Sequence, residues 1–282
     1  MKLKIMVDSS SGISQDEASK LGIDVFPLRI IFENAEFLDG INITHEEFYD
    51  RLINSGAFPK TSLPNLYEVE QKVKEYVKED YQVIILPLSR EISGSYSAFK
   101  SLMEDYNDVR VIDTLTTTCG LRFLVNKAIS SKAKNLDELV EELKNLQKKI
   151  RIVAGIDTLE YLYKGGRLTK TASIVANVIG LKPIISVIDG KVIVIGKRRG
   201  RKHAIQFIID KVQEMKIDYN YPVYGLYSMY KENFQELCEN FSDNKMKQSI
   251  SFIENIAPVI GCHIGPGAYG VAFIEKEDEL NS

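Results

Sequence analysis

The chain has 282 residues, 44% of them hydrophobic, with 36 Lys and Arg against 39 Asp and Glu and a formal net charge of −3. That is enough chain for one large or two ordinary cores, and the balanced charge gives no global reason to expect nucleic acid as a partner. Three cysteines without CxxC spacing (Cys119, Cys238, Cys262) argue against a disulfide scaffold or a zinc site. MKLKIMVDSS carries too short an apolar run for a signal peptide, and no segment approaches the roughly 20 apolar residues of a membrane span. The expectation is a soluble cytoplasmic protein.

Lys4–Val7 reads as a strand running into the polar turn DSSSG, after which Ser14 caps a helix with Asp16 and Glu17 in its first turn. Asp24–Phe32 alternates and reads as a second strand, and Thr44 with Glu47 forms a capping box before HEEFYDRLINSG. Leu66–Glu79 has helical spacing, QVIILPL is a buried strand, and a serine-rich turn leads into a helix over Tyr96–Tyr106. VRVIDT is a strand, TTTCG a turn, and helices follow near Leu121–Ser130 and Leu136–Lys149. This alternation predicts a parallel sheet with covering helices.

The second half changes character. RIVAGID is a strand, Lys170–Ile179 an apolar helix, and Asp189-Gly190 joins two strands of a hairpin. Arg201–Lys216 and KENFQELCENF read as helices, YPVYGLYSMY and YGVAFIEK as strands, and FIENIAPVIG as a helix. The predicted fold class is α/β: an N-terminal parallel-sheet domain over residues 1–152 and a C-terminal α+β domain with antiparallel pairs over 153–282.

Hydroxyl residues cluster at four turns, SSSG (9–12), TSLPN (61–65), SREISGS (89–95) and TLTTTCG (114–120), three of them directly after a predicted strand. Turns after parallel strands gather at the carboxyl edge, where ligands bind; each cluster taken alone also reads as a helix cap. Together they suit an anionic oxygen group, and Ser93, Gly94 and Ser95 resemble an amide nest at a helix start. No GxxxxGK[ST], GxGxxG or GxSxG occurs, and there are three histidines. An acyl hydrolase built on Ser93 is therefore the weaker reading. GCHIGPGAYG (261–270) is a glycine-controlled loop in which His263 either meets an anionic group or caps a carbonyl. KGGRLTK (164–170) and KRRGRK (197–202) give a local basic face, suited to a phosphorylated ligand, a nucleic-acid patch or an acidic partner, or simply solvated.

Taken in order, VDSSSGIS, KTSLPN, LSREISGSYSAF, VIDTLTTTCGL, DTLEYLYKGGRL, LKPIISVIDGKVIVIGKRRGRKHAI and HIGPGAYGVAF resemble the DegV family of bacterial fatty-acid-binding proteins over nearly the whole chain. The resemblance implies a two-domain protein that buries a long-chain fatty acid in a tunnel and is not catalytic alone. It implies that Thr61 of the TS motif and Ser93 of the SGS motif hold the ligand carboxylate, with Ser62, Gly94 and His263 completing the head-group set. It also implies a separate fatty acid kinase catalytic subunit that brings ATP and Mg²⁺, met by Arg167 and Arg199; no cofactor, resident metal, nucleic acid or membrane insertion is expected of this chain. Two positions depart from the family pattern: the residue after Thr61-Ser62 is Leu63 where a polar residue is common, and the threonine after the loop histidine is Ile264. The acyl wall is expected from Ile174 to Ile195. A chain of about 15 methylenes at roughly 0.8 kcal/mol each gives an upper estimate near 12 kcal/mol for its burial.

Overall fold

A computed structural model describes residues 2–33, 35–56, 58–168 and 180–276. The apolar run at the start forms β1 (Leu3–Asp8), buried over its last four residues. A 3₁₀ turn over Ser9–Ser11 ends it, closed by Gly12 at φ 67°, and α1 (Gln15–Leu21) begins where the Ser14 side chain accepts the Glu17 amide. The single strand expected over Asp24–Phe32 is two, β2 (Asp24–Phe26) and β3 (Arg29–Phe32). Pro27 between them has no N–H for a ladder, so the chain leaves one sheet there and enters another.

β3 is followed by β4 (Ala35–Leu38), by α2 (His45–Asn54) behind the Thr44/Glu47 capping box, and by β5 (Lys60–Ser62). β4, β3 and β5 form a small antiparallel sheet in that order, with Ile30 opposite Thr61 and Arg29 opposite Ser62. Next come α3 (Leu66–Lys78), β6 (Gln82–Leu86), α4 (Ser95–Leu102), β7 (Val109–Val111), α5 (Cys119–Ser130) and α6 (Leu136–Gln147). The parallel sheet has the order β2-β1-β6-β7. The strand order reverses between β1 and β6, which makes the carboxyl ends of those two parallel strands the switch point where open α/β sheets hold ligands. Met6, Val83 and Ile85 from the sheet pack with Phe26, Val73 and Phe99 in one buried cluster.

The chain divides into two compact units, Met1–Lys148 with Ala257–Cys262, and Lys149–Ile256 with His263–Ser282. A division at residue 152 misses the return of Ala257–Cys262 to the first unit. The second unit comprises β8 (Ile150–Gly155), α7 (Glu160–Lys164), β9 (Leu181–Ile188), β10 (Lys191–Arg199), α8 (Arg201–Glu214), β11 (Val223–Tyr227), α9 (Lys231–Asn240), α10 (Asn244–Ser249) and β12 (Ile250–Asn255). α11 (Pro258–Ile264) precedes the last strand, β13 (Tyr269–Ile274). The sheet order is β10-β9-β8-β13-β11-β12, antiparallel throughout except for the β11–β12 pair. β9 and β10 are joined at Asp189 (φ 49°) and Gly190 (φ 78°), the paired left-handed residues of a tight hairpin.

Of FIENIAPVIG (252–261), expected to be helical throughout, residues 252–255 are the end of β12 and 258–261 open α11. Phe252, Ile253, Ile256, Ala257 and Ile260 fall at spacings that mimic a helical face, but β12 is an edge strand paired on one side only, which leaves Phe252 and Ile253 exposed at 38% and 36%. The apolar helix expected at Lys170–Ile179 lies outside the described residues. Of the apolar stretch 174–195, Ile184 lies in the core of the second unit and Ile195 packs against it.

Candidate ligand-binding site

The carboxyl edge of the parallel sheet is built by side chains that tie strand ends together. Asp8, at the end of β1, accepts the Ser10 amide at 3.0 Å and the Ser10 hydroxyl on one oxygen, and the Leu88 amide at 2.6 Å on the other. The switch-point strands β1 and β6 are thus joined by one fully buried carboxylate. Asp113, after β7, does the same for the next pair: it accepts the Arg90 and Leu115 amides at 3.1 and 3.3 Å, and its other oxygen pairs with Arg90 Nε at 3.1 Å.

Between these struts sits the turn 89–95. Buried Ser89 accepts the Ile92 and Ser93 amides on its carbonyl and the Glu91 amide on its hydroxyl. The chain is thereby wound so that Ser93 and Gly94 stand at the start of α4. The Gly94 N-cap has no side chain to offer. Instead Ser93 Oγ accepts the Ser95 amide at 3.2 Å and lies 3.0 Å from Ser95 Oγ. The remaining first-turn amides of a helix are available to an anion.

β5 brings the TSLPN turn to the same place. A Cβ built on Gly94 would lie 3.8 Å from Leu63 Cδ2, ordinary contact distance. Two sequence clusters 32 positions apart (Thr61–Ser62 and Ser93–Gly94) therefore meet in the first unit, and the departure Leu63 is the apolar contact between them. Thr61 and Ser93 are half-buried, Ser62 and Gly94 exposed.

The other two hydroxyl clusters are mostly committed within the protein. Ser9 Oγ accepts the Leu28 amide, Ser11 Oγ accepts the Ile13 amide, and Thr114 donates to the Pro87 carbonyl. Thr116 Oγ1 and Thr117 Oγ1 are buried and have no hydrogen-bond partner among the described residues. The SSSG hydroxyls thus tie their turn to neighbouring backbone, while the cap of α1 is Ser14.

Burial sets the charge of the acids here. Asp8 is pushed up to about 6 by burial, against its three hydrogen bonds. Asp39, fully buried in the first unit, is pushed up to about 7; Ser9 and the Val259 amide act against the rise and Asp8 adds to it. Sequence reading passed over Asp39, because an acidic residue in FLDG carries no signal of burial. Two carboxyls held toward neutrality oppose a nearby anion less than two ionised ones.

The second unit holds the other named residues. His263, in the last turn of α11, is 9% exposed, and burial together with the Arg167 charge pushes its imidazole down to about 4. It is neutral at ordinary pH, an imidazole that donates or accepts rather than a cation. Arg167 follows α7, is half-buried, and donates to the Gly165 carbonyl. Lys164 pairs with Glu160 at 2.9 Å. In the second basic motif Arg198 lies over the Phe207 ring at 4.0 Å and Arg201 is 3.7 Å from Glu236, whereas Arg199 is exposed at the end of β10, its carbonyl 3.0 Å from His203 Nδ1. Lys170 lies outside the described residues. Among the described residues no group of acidic, histidine and cysteine side chains is arranged to hold a metal ion, and no helix is long and apolar enough to cross a membrane.

Comparison with known proteins bears on all of this at once. The family model described as "uncharacterised protein, DegV family" matches residues 2–276. A DegV domain-containing protein of Caldanaerobacter subterraneus subsp. tengcongensis is 34% identical over 98% of this chain and 99% of its own length. Among solved structures, the fatty acid binding DegV family protein of Streptococcus agalactiae superposes with a TM-score of 0.88 at 27% identity, covering 98% of this chain and 100% of that one. A DegV family protein of Thermus thermophilus, described by its fatty acid binding, gives 0.87 at 26% identity over 98% and 100%. With the ordered motifs, the two-unit architecture and the family match all running the length of the chain, this protein belongs to the DegV family.

Proposed function

We propose that this protein binds a long-chain fatty acid, burying the acyl chain in an apolar tunnel and holding the carboxylate at Thr61 and Ser93. The observation that carries the reading is the meeting of the 61–65 and 89–95 turns at the carboxyl edge of the parallel sheet, beside its switch point. A carboxylate leaving water needs hydrogen-bond donors in return. The hydroxyls of Thr61, Ser62 and Ser93 and the amides at the start of α4 offer them within the first unit; His263 is taken as a head-group residue on the family resemblance alone. The fatty acid binding of the Streptococcus and Thermus relatives supports the reading.

Its finer part is that the bound carboxylate is presented to a separate fatty acid kinase subunit in the cytoplasm. That partner carries ATP and Mg²⁺, and Arg167 and Arg199 meet it or the transferred phosphoryl group. Such transfer depends mainly on positioning and charge neutralisation, which suits a chain that holds rather than attacks: Ser93 Oγ is engaged with Ser95, not activated by a base.

Calorimetric titration of delipidated protein with palmitate tests the binding, with T61A and S93A as controls. Saturable binding weakened in both variants is expected; equal affinity in all three proteins refutes the head-group assignment. Adding a fatty acid kinase subunit and ATP tests the second part. Acyl phosphate should form only with this protein present, and R199E should lower its yield.

A further inference from the structure

The KGGR turn and the loop around His263 are packed without room for a Cβ at three points, all in the second unit. Gly265 (φ 72°) lies against the Tyr161 ring and Gly267 (φ 84°) against the Asp157 carboxylate, so the loop presents glycines to the segment 157–161. In the opposite direction Gly165 is presented to His263. A Cβ there would fall inside bonding-exclusion distance of His263 Nδ1, 3.1 Å from Cε1, and 2.9 Å from the Tyr161 carbonyl. The carbonyl of the same Gly165 receives the Arg167 guanidinium. One residue therefore contacts two of the three side chains assigned a role in this unit, Arg167 through its backbone oxygen and His263 through its bare Cα face.

We propose that Gly165 is a positioning residue, seating the imidazole of His263 on the KGGR turn and holding it at a fixed place relative to Arg167. The proposal deepens the function above and rests on its reading of His263 as a head-group residue. A methyl group at position 165 meets a backbone carbonyl on one side and a buried ring on the other. The ring is the part that yields, being a side chain set against a backbone carbonyl, and it yields from a seat in which it is 9% exposed. Gly166 supplies the control: its φ is +70°, but a Cβ there meets nothing within 4 Å. Alanine at 166 strains the backbone without touching the imidazole.

The full chain is used throughout. The His263 ring protons are followed by NMR from neutral to acidic pH in wild type, G165A and G166A, with H263A identifying the signal among the three histidines. In wild type the ring should titrate near 4, held down by burial and by the Arg167 charge. In G165A the ring moves toward water and its pKa rises by about one unit or more toward the ordinary value. In G166A it stays. Thermal unfolding of G165A in the wild-type and H263A backgrounds closes a double-mutant cycle: removing the ring relieves the loss caused by the methyl group. A G165A chain that does not fold while G165A/H263A does gives the same support. An unchanged His263 titration in G165A overturns the proposal, as does an equal loss, or equal failure to fold, in both backgrounds. Palmitate affinity separates this from the parent reading. It should fall in G165A by about the factor seen in H263A. If the cycle and titration hold but no form binds palmitate, the seating of the ring stands and the fatty-acid reading falls.

Discussion

Ser93 Oγ accepts the Ser95 amide at 3.2 Å, and the proposal gives the same oxygen a second task at the ligand carboxylate. S93A should therefore fold with only a small loss, about 0.5–1 kcal/mol for the missing cap. It should weaken fatty-acid binding by about 1.5–3 kcal/mol, roughly ten- to a hundredfold, because a hydrogen bond to a charged group is lost; calorimetry on delipidated protein reads the second number. The buried titratable groups act on stability with opposite signs. Asp39 has its folded value raised from 3.8 to about 7, so its contribution is complete below 3.8 and is lost as pH rises through 7. The Tm of D39N relative to wild type should accordingly climb over that window and level off above it. His263 has its value lowered from 6.5 to about 4, so the unfolded chain takes up its proton first and stability falls as pH drops across that interval. H263A should lose less than wild type over the same acid range in a pH series of thermal melts. The turns that carry Thr61, Ser93 and His263 stand out in the sequence because hydroxyls and glycines crowd them; the burial of Asp39 and the close approach at Gly165 do not, since burial and a missing Cβ leave no mark on composition.

The carboxyl edge is held by the ends of elements, and this is where the fold prepares the site. Asp8 joins β1 to β6, and Asp113 joins the residues after β7 to the turn that presents Ser93. D8A would leave the Leu88 and Ser10 amides buried without their acceptor, at about 1–3 kcal/mol each. A loss of roughly 2–5 kcal/mol in urea unfolding is expected, with an unchanged midpoint contradicting the strut. Strand–turn–helix alternation made β1, β6 and β7 readable, and the Asp189-Gly190 pair made the β9–β10 hairpin readable, because in each the local chemistry and the tertiary outcome agree. Of the small sheet β4-β3-β5 only β3 showed, inside the alternation over Asp24–Phe32; β4 and β5 are four and three residues long, too short for a periodicity, and exist through pairing with β3. β12 was misread for the complementary reason, an apolar spacing that fits a helix on a strand whose one partner lies far away in sequence.

On the scale of the whole molecule, a near-neutral chain of two compact units has basic clusters in the motifs 164–170 and 197–202 of its second unit and hydroxyl-rich turns at 61–65 and 89–95 of its first. That division fits a protein that holds a small amphipathic acid and is met by a partner. Ligand that binds only the folded state adds stability by mass action, about 2.7 kcal/mol at a hundred times its Kd. The most direct measurement is the lipid content of the purified protein, by solvent extraction and mass spectrometry. About one fatty acid per chain is expected, and S93A should carry less. Protein that emerges empty, and whose Tm does not move when palmitate is added, would contradict the account at its centre.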